Sequence, residues 1–373
     1  MTGVNHLVKY PRKILTRTVI RLAGRALLPL LFKLEFSGRE RFPRKGPLLV
    51  VGNHTAAMEA VLLNIFSPWQ IEMLSAADTP AERVTEMVAD LYGVIPLHRG
   101  SYDRAALSCA LDILGQNGVV GLFPEGGIWE EGKKKAQPGI AWLSYRSGAP
   151  VLPIGFGDTS GAMNAGLKFQ RPKLSMHVGK IMEPAQPPTG QPRKAYLQEY
   201  AERVMDAVHK LVPQEDYQTE PEIVNERFDL AIRVMDQEGR STSIPEALII
   251  REDLALAKFL HRPAILKIFR VNLELPVEPL EKLADHPRIT ELIPACQGIL
   301  DYLEDENPYL LTYRFGVREG LAMQSGLDQL QELLLWCRER GYQIEVLPTR
   351  YYYSLKEERE IVQTWQDVVH TWM

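Results

Sequence analysis

Between residues 46 and 180 the chain alternates short apolar segments, each long enough for one strand, with stretches of helical periodicity. This alternation is typical of an α/β fold, because each crossover helix returns the chain to the same edge of a largely parallel sheet. The predicted fold class is therefore α/β, with a largely parallel sheet flanked by helices. We expect a crossover helix over 104–116. The predicted strands are 47–51, 70–75, 93–97, 119–123, 151–154 and 174–178.

The amino-terminal segment is strongly basic, with eleven Lys and Arg against two Glu in its first 45 residues, whereas the whole chain carries a formal charge of −4. Four of these cations, Lys13, Arg17, Arg21 and Arg25, recur every fourth residue and would form one stripe of a helix. No uncharged run there reaches the roughly 20 residues that a spanning helix needs. We expect an amphipathic helix within 1–34 that lies on a membrane, with its cations attracted to anionic lipid.

An alternative for this segment is a basic helix that packs on the protein body. Nucleic acid is not an expected partner, because no aromatic or glycine-rich recognition motif accompanies the charge. Membrane lipids are the expected partner. No signal peptide is predicted, since the first apolar stretch is interrupted by cations and lacks a small-residue cleavage site.

A histidine with a carboxylate five residues further on, His54 and Glu59, is the first of four short motifs. Such a pair can act as a general base, because the carboxylate holds the ring in one tautomer and stabilises the imidazolium that forms. Three later segments, 93–99, 119–127 and 148–155, each end an apolar run with Pro, Gly or a cation. They predict a site at one edge of the sheet and chemistry at a hydroxyl group. Leu122 and Phe123 are expected in the core.

In order and spacing, these four segments resemble the blocks of the glycerolipid acyltransferase family typified by the 1-acylglycerol-3-phosphate acyltransferases. The family blocks read N-H-x4-D, G-x-I-x-x-x-R, F-P-E-G and V-x-P-[IV], and the resemblance covers about 35–215. It implies an O-acyltransferase in which His54 deprotonates the acceptor hydroxyl and Glu59 orients the imidazole ring. It also implies that Arg99, Glu125 and Gly126 bind the acceptor.

The resemblance further implies an acyl thioester as donor, either acyl-CoA or acyl carrier protein, with no other cofactor. No metal is expected, because the thioester is already activated and hydrogen-bond donors can stabilise the oxyanion. The first-choice acceptor is lysophosphatidic acid or another lysophospholipid. The expected role is phospholipid biosynthesis by a membrane-associated transferase, and the oligomeric state is unknown.

Three positions depart from the family pattern. Glu59 stands where the family usually has Asp, and His98 where it mostly has Asp or Asn. After Gly126 the chain continues Gly-Ile-Trp where the family commonly has Thr-Arg-Ser, so a cation near an acceptor phosphate is missing. The run of lysines at 133–135 is an alternative source of that charge. Two other functions therefore stay open: acylation of a non-phosphorylated acceptor such as a glycolipid, and lipid binding by a catalytically impaired protein.

The three cysteines are far apart and odd in number, which indicates neither a disulfide framework nor a zinc site. A reducing setting fits this usage, and we expect a cytoplasmic protein held peripherally on the inner face of a membrane.

The predicted division is a membrane-association helix over 1–34, an acyltransferase domain over 35–215, and a mainly helical α+β extension of unknown role over 220–373. The boundary between the second and third parts is indicated by Pro213, which follows an amphipathic helix at 195–211. The sequence of the extension contains no recognisable set of catalytic residues. Its predicted helices are 222–236, 245–261 and 327–340, and its predicted strand is 342–347.

Overall fold

A computed structural model of the chain describes residues 6–54, 56–76, 83–98, 103–124, 136–159, 161–213, 223–355 and 357–364. The chain divides into two compact units, the first built mainly from 1–220 and the second mainly from 221–373. The strands are β1 (Lys33–Ser37), β2 (Leu48–Gly52), β3 (Glu72–Ala76), β4 (Ile95–Leu97), β5 (Val119–Leu122), β6 (Val151–Gly157), β7 (Lys173–Val178), β8 (Ile223–Met235), β9 (Ser241–Thr242), β10 (Gln343–Ser354) and β11 (Arg359–Thr364). The α-helices are α1 (Ile14–Leu31), α2 (Met58–Phe66), α3 (Arg83–Tyr92), α4 (Arg104–Gly115), α5 (Gly139–Ser147), α6 (Ala162–Leu167), α7 (Arg193–His209), α8 (Asp253–Leu260), α9 (Pro263–Lys267), α10 (Glu278–Glu281), α11 (Ile289–Asp301), α12 (Leu310–Phe315) and α13 (Val317–Arg340).

The first unit is built on a seven-stranded sheet in the order β1-β7-β6-β2-β5-β3-β4. The five neighbouring strands from β6 to β4 pair in parallel, β7 runs antiparallel to β6, and β1 pairs in parallel with β7. The predicted α/β class with a largely parallel sheet is confirmed. Because five strands share one direction, their carboxyl ends meet at one edge, which we call the carboxyl edge.

Both faces of this sheet are buried, which explains why its strands are continuous apolar runs. Along β2, Leu48 and Val50 face one hydrophobic core, while Leu49 and Val51 face the other. Such two-sided burial is the usual environment of parallel strands. Helices α4, α5 and α7 cover one face, and α2 covers the other.

The six predicted strands are all present, with ends displaced by a few residues. The sequence did not predict β1. That strand follows α1 almost directly and alternates exposed residues with only two half-buried apolar ones, Leu34 and Phe36. Such a short edge strand has too few apolar residues to produce a strand pattern of its own.

The basic stripe of α1 faces the protein body, so the prediction that its cations contact a membrane is wrong for Arg17 and Arg21. The Arg17 guanidinium is fully buried and binds both carboxylate oxygens of Glu72, at 2.6 and 2.8 Å. Arg12 donates to the same carboxylate, from its Nε at 2.8 Å. Burial alone would raise the pKa of Glu72, yet the hydrogen bonds and charges of Arg17 and Arg12 outweigh it and lower that pKa. Arg17 of the stripe, together with Arg12, therefore neutralises an anion in the core.

The outward face of α1 is apolar instead. Leu15 is 79% exposed and Leu22 is 62% exposed, and four more apolar side chains are more than half exposed. No helix in the described part of the chain is long and apolar enough to cross a membrane. These six residues, here called the leucine face, are Ile14, Leu15, Val19, Leu22, Leu27 and Leu30.

The second unit contains a four-stranded antiparallel sheet in the order β11-β10-β8-β9. The predicted helix over 222–236 is wrong, because these residues form β8. Along β8, Phe228, Leu230, Ile232 and Val234 alternate with more exposed residues, which is the two-residue period of a strand with one buried face. The other predictions match better, since α8 lies within 245–261, α13 contains 327–340, and β10 extends the strand predicted at 342–347.

Candidate active site

The segment that carries His54 leaves the carboxyl edge directly after β2. The side chain of Asn53 is 5% exposed and binds the backbone of Phe156 twice. Its Nδ2 donates to the Phe156 carbonyl at 3.0 Å, and its Oδ1 accepts from the Phe156 amide at 2.8 Å. Asn53 thus continues the pairing of β2 with β6 by one step beyond the strand, which holds the backbone that leads into His54.

Glu59 lies in the first turn of α2 and is fully buried. The Ala56 amide donates to both carboxylate oxygens, at 2.9 and 3.0 Å. The Thr159 hydroxyl donates to Oε1 at 2.6 Å, and Thr159 is itself only 3% exposed. These three hydrogen bonds hold the Glu59 carboxylate in one orientation.

The His54 ring lies between this carboxylate and an aromatic ring. Its Nδ1 is 3.5 Å from Glu59 Oε2, and its side chain is 20% exposed. Because Nδ1 itself is buried, the exposed part of the ring belongs to its other atoms. The Phe123 ring stacks on the imidazole with centroids 4.3 Å apart and planes inclined by 8°. A contact of 3.5 Å is long for a hydrogen bond, as is common in catalytic pairs without substrate.

Phe123 and Thr159 extend the site beyond the residues that the sequence singled out. Phe123 was expected in the core, but it is only half-buried and forms one wall of the His54 position. Thr159 was not predicted. Its one sequence signal is that it follows β6, a strand whose end lies at the carboxyl edge. The structure therefore brings together His54, Glu59, Phe123 and Thr159.

The predicted acceptor-binding residues Arg99, Glu125 and Gly126 lie outside the described residues, as do the lysines at 133–135. The strands that precede them, β4 and β5, are both parallel to the β2 direction and end at the carboxyl edge. The roles of these residues stay predictions.

His98, one of the three departures from the family pattern, contacts a helix cap. Its Nδ1 lies 3.1 Å from Oδ2 of Asp103, and Asp103 caps the amino end of α4 by accepting from the Ala106 amide at 3.0 Å. Desolvation would raise the pKa of Asp103, but its hydrogen bonds to Ala106 and His98 outweigh that effect and lower it. Within the described residues, no group of three or more His, Cys, Asp or Glu is placed to hold a metal ion.

In a comparison with known protein families, residues 33–157 match the model of the Acyltransferase family. The matched residues make up about a third of the chain. Over 131 residues the chain is 24% identical to a 1-acyl-sn-glycerol-3-phosphate acyltransferase of Borreliella burgdorferi. The match covers 34% of this chain and 52% of the relative, so the chain spans about half the length of that curated protein.

The matched segment contains His54, Glu59 and Phe123, and Thr159 lies just beyond its end. The chain is also similar to a solved structure, the 1-acyl-sn-glycerophosphate (LPA) acyltransferase PlsC from Thermotoga maritima. That similarity has a TM-score of 0.40 with 18% identity, and it covers 57% of this chain and 86% of the other.

Proposed function

We propose that this protein is an O-acyltransferase that moves a fatty acyl group from an acyl thioester to the hydroxyl group of a lipid. The observation that carries the proposal is the position of His54 beside the buried carboxylate of Glu59, at the carboxyl edge of the sheet. The pair lies in the segment that matches the Acyltransferase family. An imidazole with a fixed anion behind it is suited to accept a proton from a hydroxyl group.

In the proposed reaction, the acceptor oxygen bonds to the thioester carbonyl carbon while His54 takes the hydroxyl proton. The tetrahedral adduct then collapses, the carbon–sulfur bond breaks, and the leaving thiolate receives the proton from His54. Glu59 stabilises the imidazolium between these two steps. No acyl group is attached to the protein at any stage.

The first-choice acceptor is a lysophospholipid such as lysophosphatidic acid, in line with the name of the Borreliella relative. The second candidate is a non-phosphorylated alcohol such as a glycolipid. It is favoured by the Gly-Ile-Trp sequence at 127–129, which lacks the family's usual cation. The proposed donor is acyl-CoA or acyl carrier protein, and the proposed role is phospholipid biosynthesis.

Turnover of an acyl thioester with a panel of lyso-lipids and glycolipids tests the activity. We expect consumption that depends strictly on one class of acceptor, and a loss of about 10² to 10⁴ in His54→Ala with unchanged circular dichroism. His177→Ala is the matched control, because His177 binds Ser37 at the β1–β7 side of the sheet. A protein that binds lyso-lipid but turns over none of the panel would be a lipid-binding protein instead.

We also propose that the protein attaches peripherally to the cytoplasmic face of a membrane through the leucine face of α1. An exposed row of apolar side chains on a helix is costly in water and is favourable at the boundary between headgroups and acyl chains. With Arg17 and Arg21 turned inward, apolar insertion becomes the main source of affinity.

Vesicle cosedimentation tests this attachment. Leu15→Gln with Leu22→Gln should weaken binding at least tenfold, since each inserted Leu contributes roughly 1.5 to 3 kcal/mol. Leu167→Gln is the control, because Leu167 is 65% exposed but lies on α6. Binding to neutral vesicles should persist at high salt, which does not screen apolar contacts. Equal binding by the double variant and the control would remove α1 from the attachment.

A further inference from the structure

A concavity lined by arginine and apolar side chains lies at the other edge of the sheet from His54. It is an open groove of about 600 Å³ next to the amino end of β2. Arg25 comes from α1, Arg39 from the 3₁₀ turn Arg39–Arg41, and Arg44 from the segment that leads into β2. We call it the arginine groove. Its lining residues are Arg25, Arg39, Phe42, Pro43, Arg44, Phe66, Ser67 and Pro68.

Within the part of the chain that the structure describes, no carboxylate neutralises the positive charge of this groove. Arg25 donates to the carbonyls of Ile65 at 2.9 Å and Ser67 at 3.1 Å, which fixes its guanidinium without neutralising it. Arg39 lies over the Phe36 ring at 5.3 Å. Among the described residues, none of the three groove arginines forms an ion pair with a carboxylate. The neighbouring Glu40 pairs with Arg41 instead, at 3.7 Å.

The guanidinium of Arg21 adds to the positive charge beside the groove. Arg21 is 7% exposed and also donates to the carbonyl of Ser67, so two cations converge on one oxygen in the groove wall. Burial lowers the pKa of Arg21, and the charge of Arg25 lowers it further. This is the opposite of the arrangement around Glu72, where the carboxylate neutralises two arginines. An anion from outside the chain would complete the groove.

The remaining lining of the groove consists of two phenylalanines, two prolines and Ser67, and the groove lies close to the leucine face. The Phe42 ring meets Trp69 edge-on at 5.2 Å, and Phe66 packs on Phe36 at 4.8 Å. Leu22, on the leucine face, lies one helical turn before Arg25 on α1. Guanidinium, aromatic and aliphatic side chains thus lie next to one another on the surface. A ligand with an anionic headgroup and a hydrocarbon chain could contact all three.

We propose that the arginine groove binds the phosphate-bearing headgroup of an anionic phospholipid in the membrane on which α1 lies. This inference rests on the proposed attachment through the leucine face. It adds a lipid site separate from the site at His54, which lies beyond the opposite end of β2. Guanidinium groups suit this role, because their planar donors bind phosphate oxygens in pairs.

The test compares vesicles of phosphatidylcholine alone with vesicles that also contain phosphatidylglycerol, each with the full chain. The wild type should prefer the anionic vesicles, and Arg39→Gln with Arg44→Gln should reduce that preference at least tenfold while binding to neutral vesicles is unchanged. The control is Arg193→Gln with Lys194→Gln, which removes the same charge from exposed positions on α7. It should keep the preference.

Three outcomes would overturn the proposal. Equal anionic preference in the groove variant and the control would show that the groove binds no headgroup, while attachment through α1 would stand. Failure of the wild type to bind either kind of vesicle would overturn both the attachment and the groove. Micromolar binding of inorganic phosphate by calorimetry, lost in the groove variant, would assign the groove to a soluble phosphate.

Discussion

The oxygens of Glu59 are already taken by donors, and this determines what each substitution does. In Glu59→Gln, the amide oxygen can accept from Thr159, but the amide NH2 then stands near Nδ1 of His54. That favours the tautomer with hydrogen on Nε2, which cannot accept the acceptor's proton. We expect turnover to fall at least about tenfold, or ~1.4 kcal/mol of barrier, with little change in acceptor affinity. Glu59→Asp should lose less, since it keeps the charge. Full activity in Glu59→Gln would make the carboxylate structural.

Thr159 is a positioning residue, because it acts on Glu59 rather than on substrate. Thr159→Val keeps the shape and removes the hydroxyl that donates at 2.6 Å, so kcat should fall several-fold at unchanged KM. Thr159→Ser restores the donor and should restore kcat. The pH profile of kcat/KM separates this role from a packing role. If Thr159 positions Glu59, its loss should change the interaction of Glu59 with His54 and so displace the profile along the pH axis. An unmoved profile in Thr159→Val would argue for packing.

His261 makes the second unit sensitive to acid. Burial lowers the pKa of His261 from 6.5 to about 4, and the side chain is neutral in the folded protein at pH 7. The unfolded chain therefore binds more protons between these values, so stability falls as the pH drops from 6.5 towards 4. The loss is at most about 3 kcal/mol. Denaturant unfolding at pH 7 and pH 4.5 should show this fall in the wild type, and a smaller one in His261→Gln. Parallel pH profiles of the two proteins would exclude His261.

The His54–Glu59 pair could be predicted because both residues lie on one local segment, where spacing alone brings them near. Thr159 could not, since it reaches Glu59 from 100 positions away through the pairing of β2 with β6. Nor could the stacking of Phe123 on His54, because a hydrophobic residue at a strand end has the same sequence pattern in a core and in a site wall.

At the scale of elements, α12 and α13 approach each other closely at Gly320. An added Cβ there would lie 2.4 Å from the Thr312 amide nitrogen and 2.5 Å from the Leu311 carbonyl carbon, and backbone atoms cannot turn aside. Gly320→Ala should therefore cost about 1 to 3 kcal/mol. Gly298 in α11 is the matched control, because its nearest contacts would be at 3.6 Å. Gly298→Ala should stabilise by up to about 1 kcal/mol, as glycine is unfavourable inside a helix. Thermal unfolding of both variants checks this, and equal effects would contradict it.

The elements of the sheet were predictable because strands buried on both faces are continuous apolar runs. The orientation of α1 was not, since the sequence shows a cationic stripe but not the carboxylate that it meets. Glu72 lies 55 residues after Arg17 and is the first residue of β3. For β8 the two-residue alternation was present, but Arg, Asp and Ala between its apolar residues also fit a helix, and only pairing with β10 decides between them.

For the whole molecule, the two units predict a cleavage site between them. Residues 214–222 include three glutamates and a proline but no lysine or arginine. Limited digestion with a glutamate-specific protease should therefore cut there first, while trypsin should spare this stretch. The chain 1–218 should then stay folded. Resistance to the protease together with unfolding of 1–218 would show that both units fold only together.

The shared carboxylate of Glu72 has a practical consequence for anyone who wishes to shorten this protein. Truncation that removes α1 and the residues before it would also remove Arg12 and Arg17, and would leave the fully buried Glu72 carboxylate without these two partners. Breaking a buried ion pair in this way costs about 3 to 5 kcal/mol, a large part of the 5 to 15 kcal/mol that holds a typical domain together. A version of the first unit with a more polar surface is better sought by keeping α1 whole and replacing only its outward leucines.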